Sequence, residues 1–120
     1  MRLGIGSLNL ILVLVCVLAI STGQLLFKQV GLAIEASRSW FGKDVLLYAA
    51  SAFALYAAAT VLWIHLLRFV ALSRAYPFMA ITFVIVPLAS AWLFGDRLSA
   101  PYFVGVLLIG AGIVVITCTG

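Results

Sequence analysis

Charge is what this chain has least of. Its 120 residues hold seven Lys and Arg, three Asp and Glu and one His, while 67% are hydrophobic. Carboxylates are the scarcest: Glu35, Asp44 and Asp96 are the full set, and residues 1–34 contain none. Groups so few and so far apart make no catalytic constellation, so the chain reads as something other than an enzyme, with no cofactor expected. Cysteine is nearly absent too. Cys16 falls inside an apolar run and Cys118 at the end of one; both read as small core residues, not as a disulfide framework or a metal site. The formal charge is +4, but the basic residues are scattered, without a cluster or interleaved aromatics. That pattern excludes nucleic acid as the expected partner and reads mainly as membrane anchoring.

What fills the chain instead is four apolar runs: Leu8–Phe27, Val45–Leu67, Tyr76–Gly95 with its core after Pro77, and Leu98–Gly120. The last is expected to span from about Tyr102 to Thr117. Each run is long enough to cross a hydrocarbon layer of ~30 Å as a helix rising ~1.5 Å per residue. The longest polar connection, roughly Glu35–Asp44, leaves no room for a soluble domain. The expectation is one all-α membrane domain over residues 1–120, with four transmembrane helices. The first run is not read as a secretory signal, because no small-residue cleavage pattern follows and the run continues to Phe27. Positive charge does not settle orientation. Arg2, Arg68 and Arg74 fall on one side of such a bundle, and Arg38, Lys43 and Arg97 on the other. Trp40 and Phe41 beside Arg38 and Lys43 form an interfacial pattern, so the first connection is expected on the membrane surface.

Against that background each polar residue inside a span is costly, and is a candidate for function. Gln24 and Lys28 are one helical turn apart on one face, with Ser21 preceding them. Lys28 can be a snorkelling anchor or a ligand for an anion. Gln24 lies deeper, and either bonds a neighbouring helix or meets a substrate. The second run is dense in alanine, which lets helices approach closely. Tyr48, Ala52, Tyr56, Thr60 and Trp63 fall near one of its faces, a stripe suited to aromatic packing or to lining a cavity. Pro77 suits a first helical turn, whereas Pro87 is expected to kink the third span and free a backbone carbonyl. Asp96 is expected to pair with Arg97 or to cap the fourth helix. In that helix Gly105 and Gly112 share a face with Leu108 and Ile109 beside it, a smooth surface suited to contact between protomers.

The order Ala75-Tyr76-Pro77, Phe83-Val84, Gly95-Asp96-Arg97-Leu98-Ser99 and Gly105-Val-Leu-Leu-Ile-Gly-Ala-Gly112 resembles the drug/metabolite transporter superfamily over nearly the whole chain. Its four-helix members include the small multidrug resistance proteins and the small subunits of undecaprenyl-phosphate-aminoarabinose flippases; EamA domains look similar. The multidrug branch carries a glutamate eight residues before the lysine of its first helix. Here that position is Ile20. Gly23-Gln24-Leu25, Lys28-Gln29, Trp63 and Ala75-Tyr76-Pro77 look instead like the flippase subunits. Asp96, where Glu is common, and Arg74, where a small or apolar residue is usual, depart from the pattern.

The resemblance implies a subunit of a flippase that moves a sugar-linked undecaprenyl phosphate across a bacterial inner membrane. A phosphate would favour Lys28, with Arg74 as a second cation; sugar hydroxyls would favour Gln24, Tyr76 and Ser21; Tyr56 and Trp63 would line the site. Four helices are few to enclose such a path, so a homodimer or a pair with a similar small subunit is expected. Two other readings stay open: a small multidrug or metabolite exporter, which needs another coupling group, and a scaffold for a membrane glycosyltransferase, which tolerates apolar replacement of Gln24.

Overall fold

The computed structural model describes residues 6–119 of the chain, and side chains of residues 6–118. Arg2 therefore lies outside the described residues, as does Gly120 at the end of the fourth run. Helix α1 runs Ser7–Ser37, α2 Lys43–Leu67 and α3 Leu72–Ala75; a 3₁₀ segment, Tyr76–Ile81, leads into α4, Thr82–Phe94, and α5 runs Ala100–Thr119. Four helical stretches are long and apolar enough to cross a membrane: Ser7–Ser37, Lys43–Leu67, Leu72–Phe94 and Ala100–Cys118. The expected all-helical, four-span architecture is the one observed, and the chain is a multi-pass membrane protein.

The first helix is longer than its apolar run. It has 31 residues, about 46 Å at ~1.5 Å each. Lys28 is thus in the body of α1, not at its end. One cation among aliphatic residues does not stop a helix, because the backbone bonds are unaffected by it. What stops α1 is Arg38, which adopts left-handed backbone (φ 55°) and returns its N–H to the carbonyl of Ile34. Ser37 and Ser39 then bind the turn, the Ser39 hydroxyl accepting from the Phe41 N–H at 3.2 Å. Trp40 and Phe41 are exposed there.

The most extensive contact in the molecule is α1 against α2. Helix α2 buries Val45, Ala52, Ala59 and Leu66, one residue in every seven. That spacing returns to the same side of a helix lying along its neighbour. Most of the other alanines of α2, including Ala54, Ala57 and Ala58, are exposed. Helix α1 answers with Val13, Cys16, Val17, Ser21 and Gly23. The Cys16 thiol donates to the Ala59 carbonyl at 3.8 Å, so it is a seam residue. Near the α2–α3 connection, Val13, Val17, Leu66, Val70, Ala75 and Phe78 close into one apolar cluster.

Two hydroxyls of α1 return to their own helix. Ser21 Oγ donates to the Val17 carbonyl at 2.7 Å, and Thr22 Oγ1 to that of Leu18 at 2.9 Å. Among the described residues no buried side-chain polar atom lacks a partner, as a hydrocarbon surround requires.

The third span is irregular where its sequence is not obviously so. Pro77 stands in the first turn of a 3₁₀ segment, not of an α-helix. Pro87 lies within α4, which continues through it. A proline at this position cannot supply the N–H that would bond the Phe83 carbonyl. The Tyr102 hydroxyl of α5 supplies that bond instead, at 2.9 Å. After α4, Gly95 takes the left-handed conformation (φ 73°) that ends the helix. The expected partner of Asp96 was Arg97 or the next helix; its carboxylate instead accepts a hydrogen bond from Ser90 one turn inside α4. Helix α5 otherwise stands apart: its strongest packing is against the 3₁₀ segment. The molecule is flat, with extents of 51 × 37 × 17 Å.

Candidate functional site

A glycine builds the first part of the site. Gly23 is buried, and a Cβ there would overlap the ring of Tyr56 on α2. Its absence lets that ring lie directly on the α1 backbone. Phe27, one turn later, stacks on the same ring with centroids 5.2 Å apart and meets Phe53 edge-on at 5.9 Å. The Gln24 amide nitrogen donates to the Tyr56 hydroxyl at 2.5 Å. Three successive features of one helix face, at positions 23, 24 and 27, thus hold one tyrosine. A hydroxyl that accepts in this way keeps its own proton to donate, and the Gln24 amide oxygen remains an acceptor.

Beside this pair lies a cavity of about 590 Å³ between α1, α2 and the chain from Tyr76 to Phe83. Its wall includes Ile20 and Gln24 from α1, then Tyr56, Ala59, Thr60 and Trp63 from α2. Tyr76, Pro77, Met79, Ala80, Thr82 and Phe83 close the remaining side. A smaller cavity of about 310 Å³ continues along α4 past Val86 and Pro87. The two share Ile20, Gln24, Thr82 and Phe83, so Gln24 stands where they meet. Among the described residues no charged side chain stands on the wall of the larger cavity. Its polar groups are neutral: the Gln24–Tyr56 pair, the hydroxyls of Thr60 and Tyr76, the Trp63 indole N–H, and Thr82, whose hydroxyl is given to the Met79 carbonyl at 2.7 Å.

Four of the seven residues singled out from the sequence for substrate binding line this one cavity: Gln24, Tyr56, Trp63 and Tyr76. Thr60, on the same stripe of α2, joins them. Ser21 does not: it is buried, with its hydroxyl on Val17. Of the stripe, Ala52 is also buried in the α1–α2 seam. Lys28 is exposed on α1 one turn beyond Gln24, and Arg74 is half-buried in α3 two residues before Tyr76. Both cations thus flank the wall without forming it. Sequence reasoning missed Met79, Thr82 and Phe83. They reach the cavity because the 3₁₀ segment sets their register, and the signal for that was Pro77 following Tyr76.

The surface on α5 is different in kind. A Cβ added at Gly105, Gly110 or Gly112 would meet nothing within 4 Å. Leu108 is exposed and Ile109 half-buried. Among the described residues nothing packs on the two glycines that were expected to form a smooth face.

Comparison with known proteins places relatives along almost the entire chain. It is 32% identical over 111 residues to the probable 4-amino-4-deoxy-L-arabinose-phosphoundecaprenol flippase subunit ArnE of Erwinia tasmaniensis, covering 90% of this chain and 95% of the relative. It is 33% identical over 108 residues to the probable ArnE subunit of Serratia proteamaculans, covering 90% and 93%. The probable subunit of Escherichia coli O157:H7 is 34% identical over 97 residues, covering 81% and 86%. No family model matches the chain, and no solved structure matches it.

Proposed function

Because the chain belongs to the ArnE family of flippase subunits, we propose that its cavity receives the headgroup of 4-amino-4-deoxy-L-arabinose-phosphoundecaprenol as that lipid changes leaflets in the bacterial inner membrane. The observation that carries this reading is the neutral polar cavity at Gln24 and Tyr56, open between helices in the middle of an apolar bundle.

The physical problem is desolvation. Moving a sugar through hydrocarbon without partners costs several kcal/mol for each unpaired hydroxyl, roughly 2–7 kcal/mol depending on the reference state. The Tyr56 hydroxyl, the Gln24 amide oxygen, Thr60 and Tyr76 are donors and acceptors that replace water for a group of that size. The phosphate is the harder load. It suits the cations at the two ends of the path: Arg74 beside Tyr76, and Lys28 beyond Gln24. The polyprenyl tail needs no cavity, because the bilayer already solvates it. A second subunit, either another copy or a similar small chain, packs on α5. No bond is made or broken, and the chain acts as a transporter subunit.

The test is translocation in membrane vesicles, read by an amine-reactive reagent that does not cross the bilayer. Lys28→Ala is expected to abolish movement with abundance intact, while Lys28→Arg keeps part of it, since the charge stays and the geometry changes. Gln24→Leu is expected to impair movement although it makes α1 more apolar. Full activity in the Lys28→Ala, Gln24→Leu double variant would contradict the headgroup path.

A further inference from the structure

The headgroup named by the relatives carries an amine, and the cavity has no carboxylate to meet it. Glu35 lies in the last turn of α1, Asp44 in the first turn of α2, and Asp96 beyond α4 bonded to Ser90. None lines the cavity. A cation entering an apolar space must still find compensation for its lost water. Two kinds of neutral group provide it: oxygen acceptors, and the negative face of an aromatic ring. The wall supplies both. Trp63, Tyr56, Tyr76 and Phe83 contribute rings. One of these is already engaged: Tyr56 is stacked on Phe27 and pressed against Gly23. Trp63 and Tyr76 have no such clamp in the α1–α2 seam. Tyr76 is 62% exposed; Trp63 is half-buried and packed against the apolar cluster of Val13 and Leu66, and both line the cavity. The Gln24 amide oxygen, freed for acceptance by the direction of its bond to Tyr56, adds an acceptor from α1.

On the reading of the cavity given above, on which this rests, we propose that the site recognises the protonated amine of the sugar by the rings of Trp63 and Tyr76, assisted by the Gln24 carbonyl. The flippase then discriminates between cationic and neutral sugar headgroups without any acidic residue. A ring cage also explains how the same path admits a phosphate: a carboxylate in the cavity would repel the phosphate that follows the sugar, whereas a ring attracts the ammonium at a smaller cost to its neighbour.

The experiment compares two probes in vesicles from cells in which this chain is the sole copy of its kind, so that any partner subunit is present. One probe is the aminoarabinose lipid; the other is the same lipid N-acetylated, hence neutral. Periodate, which does not cross the bilayer, cleaves the vicinal diol of either headgroup in the exposed leaflet, and mass spectrometry counts the product. The unaltered protein is expected to move the amine lipid about tenfold faster, the size of effect that a desolvated cation–ring contact supports. Trp63→Leu and Tyr76→Leu should each bring the two rates toward parity by slowing the amine lipid, with Trp63→Phe keeping part of the preference. Tyr76 is exposed, so its variant tests the idea even where Trp63→Leu does not accumulate. Equal rates for the two probes in the unaltered protein, or an equal loss for both probes in the variants, would overturn the ring cage and leave the headgroup path standing. Unchanged rates for both probes in both variants would remove the cavity from the path altogether.

Discussion

Two helix surfaces of this protein use glycine in opposite ways. On α1, Gly23 is buried and its missing side chain is filled by the Tyr56 ring. On α5, Gly105 and Gly112 face open space. The first surface is complete within one chain: a seam with a seven-residue repeat, a thiol–carbonyl contact and a Gln–Tyr hydrogen bond. The second is tied back mainly near Tyr102, whose hydroxyl caps the carbonyl that Pro87 leaves free. In a bilayer, apolar exposure alone does not drive helices together, so close approach and hydrogen bonds decide which surfaces pair. The difference teaches which glycines the fold of one chain uses. Helices α1 and α2 pack on each other and hold the cavity, whereas α5 leaves its two glycines uncovered.

The same kind of substitution on the two surfaces should separate them. Gly23→Ala places a methyl group into the Tyr56 ring and should destabilise the protomer by about 1–3 kcal/mol, the usual cost of overpacking. Unfolding in detergent micelles measures it, and an unchanged midpoint would show that the seam yields. Gly112→Leu should leave that midpoint alone while weakening association more than Leu107→Ala, as crosslinking in membranes would register. An unchanged dimer fraction would remove α5 from the interface. Tyr56→Phe deletes the partner of Gln24 but keeps the ring, and should cost roughly 0.6–2 kcal/mol, the range for interhelical hydrogen bonds in membranes. Tyr102→Phe should have the smallest effect, about 0.6 kcal/mol, the low end of that range. Its signature would be selective: faster amide exchange on α4 around Pro87, with α1 and α2 unaltered.

The four spans were legible because hydropathy over twenty residues is a strong signal, and Gln24, Tyr56, Trp63 and Tyr76 stood out because polar or aromatic groups in such runs need a reason. The length of α1 was not legible. An apolar run marks where a helix crosses lipid, not where its backbone bonds end, and Arg38 carries no sequence mark of its left-handed turn. Pro87 announced a free carbonyl but not the donor, since Tyr102 is nineteen positions from Phe83. Ser21 looked like a binding residue because it is polar and in register with Gln24. A serine hydroxyl can also return to its own helix, and here it does. The alanines of α2 were read as a density; read at intervals of seven they give two pairs, Ala50 with Ala57 and Ala52 with Ala59, and only the second lies in line with Val45 and Leu66 and is buried.

The central claim is that the sugar headgroup travels through the cavity beside Gln24. Thr60 lines that cavity, and its neighbour Val61 is 69% exposed and does not. A photo-reactive residue at each position in turn, with radiolabelled aminoarabinose-phosphoundecaprenol in the membrane, tests the claim directly. Capture from Thr60 should exceed capture from Val61, and an excess of the unlabelled amino-sugar lipid should abolish it while undecaprenol lacking the headgroup should not. Equal capture at the two positions, or competition by undecaprenol alone, would mean that only the tail passes near α2 and would contradict the account.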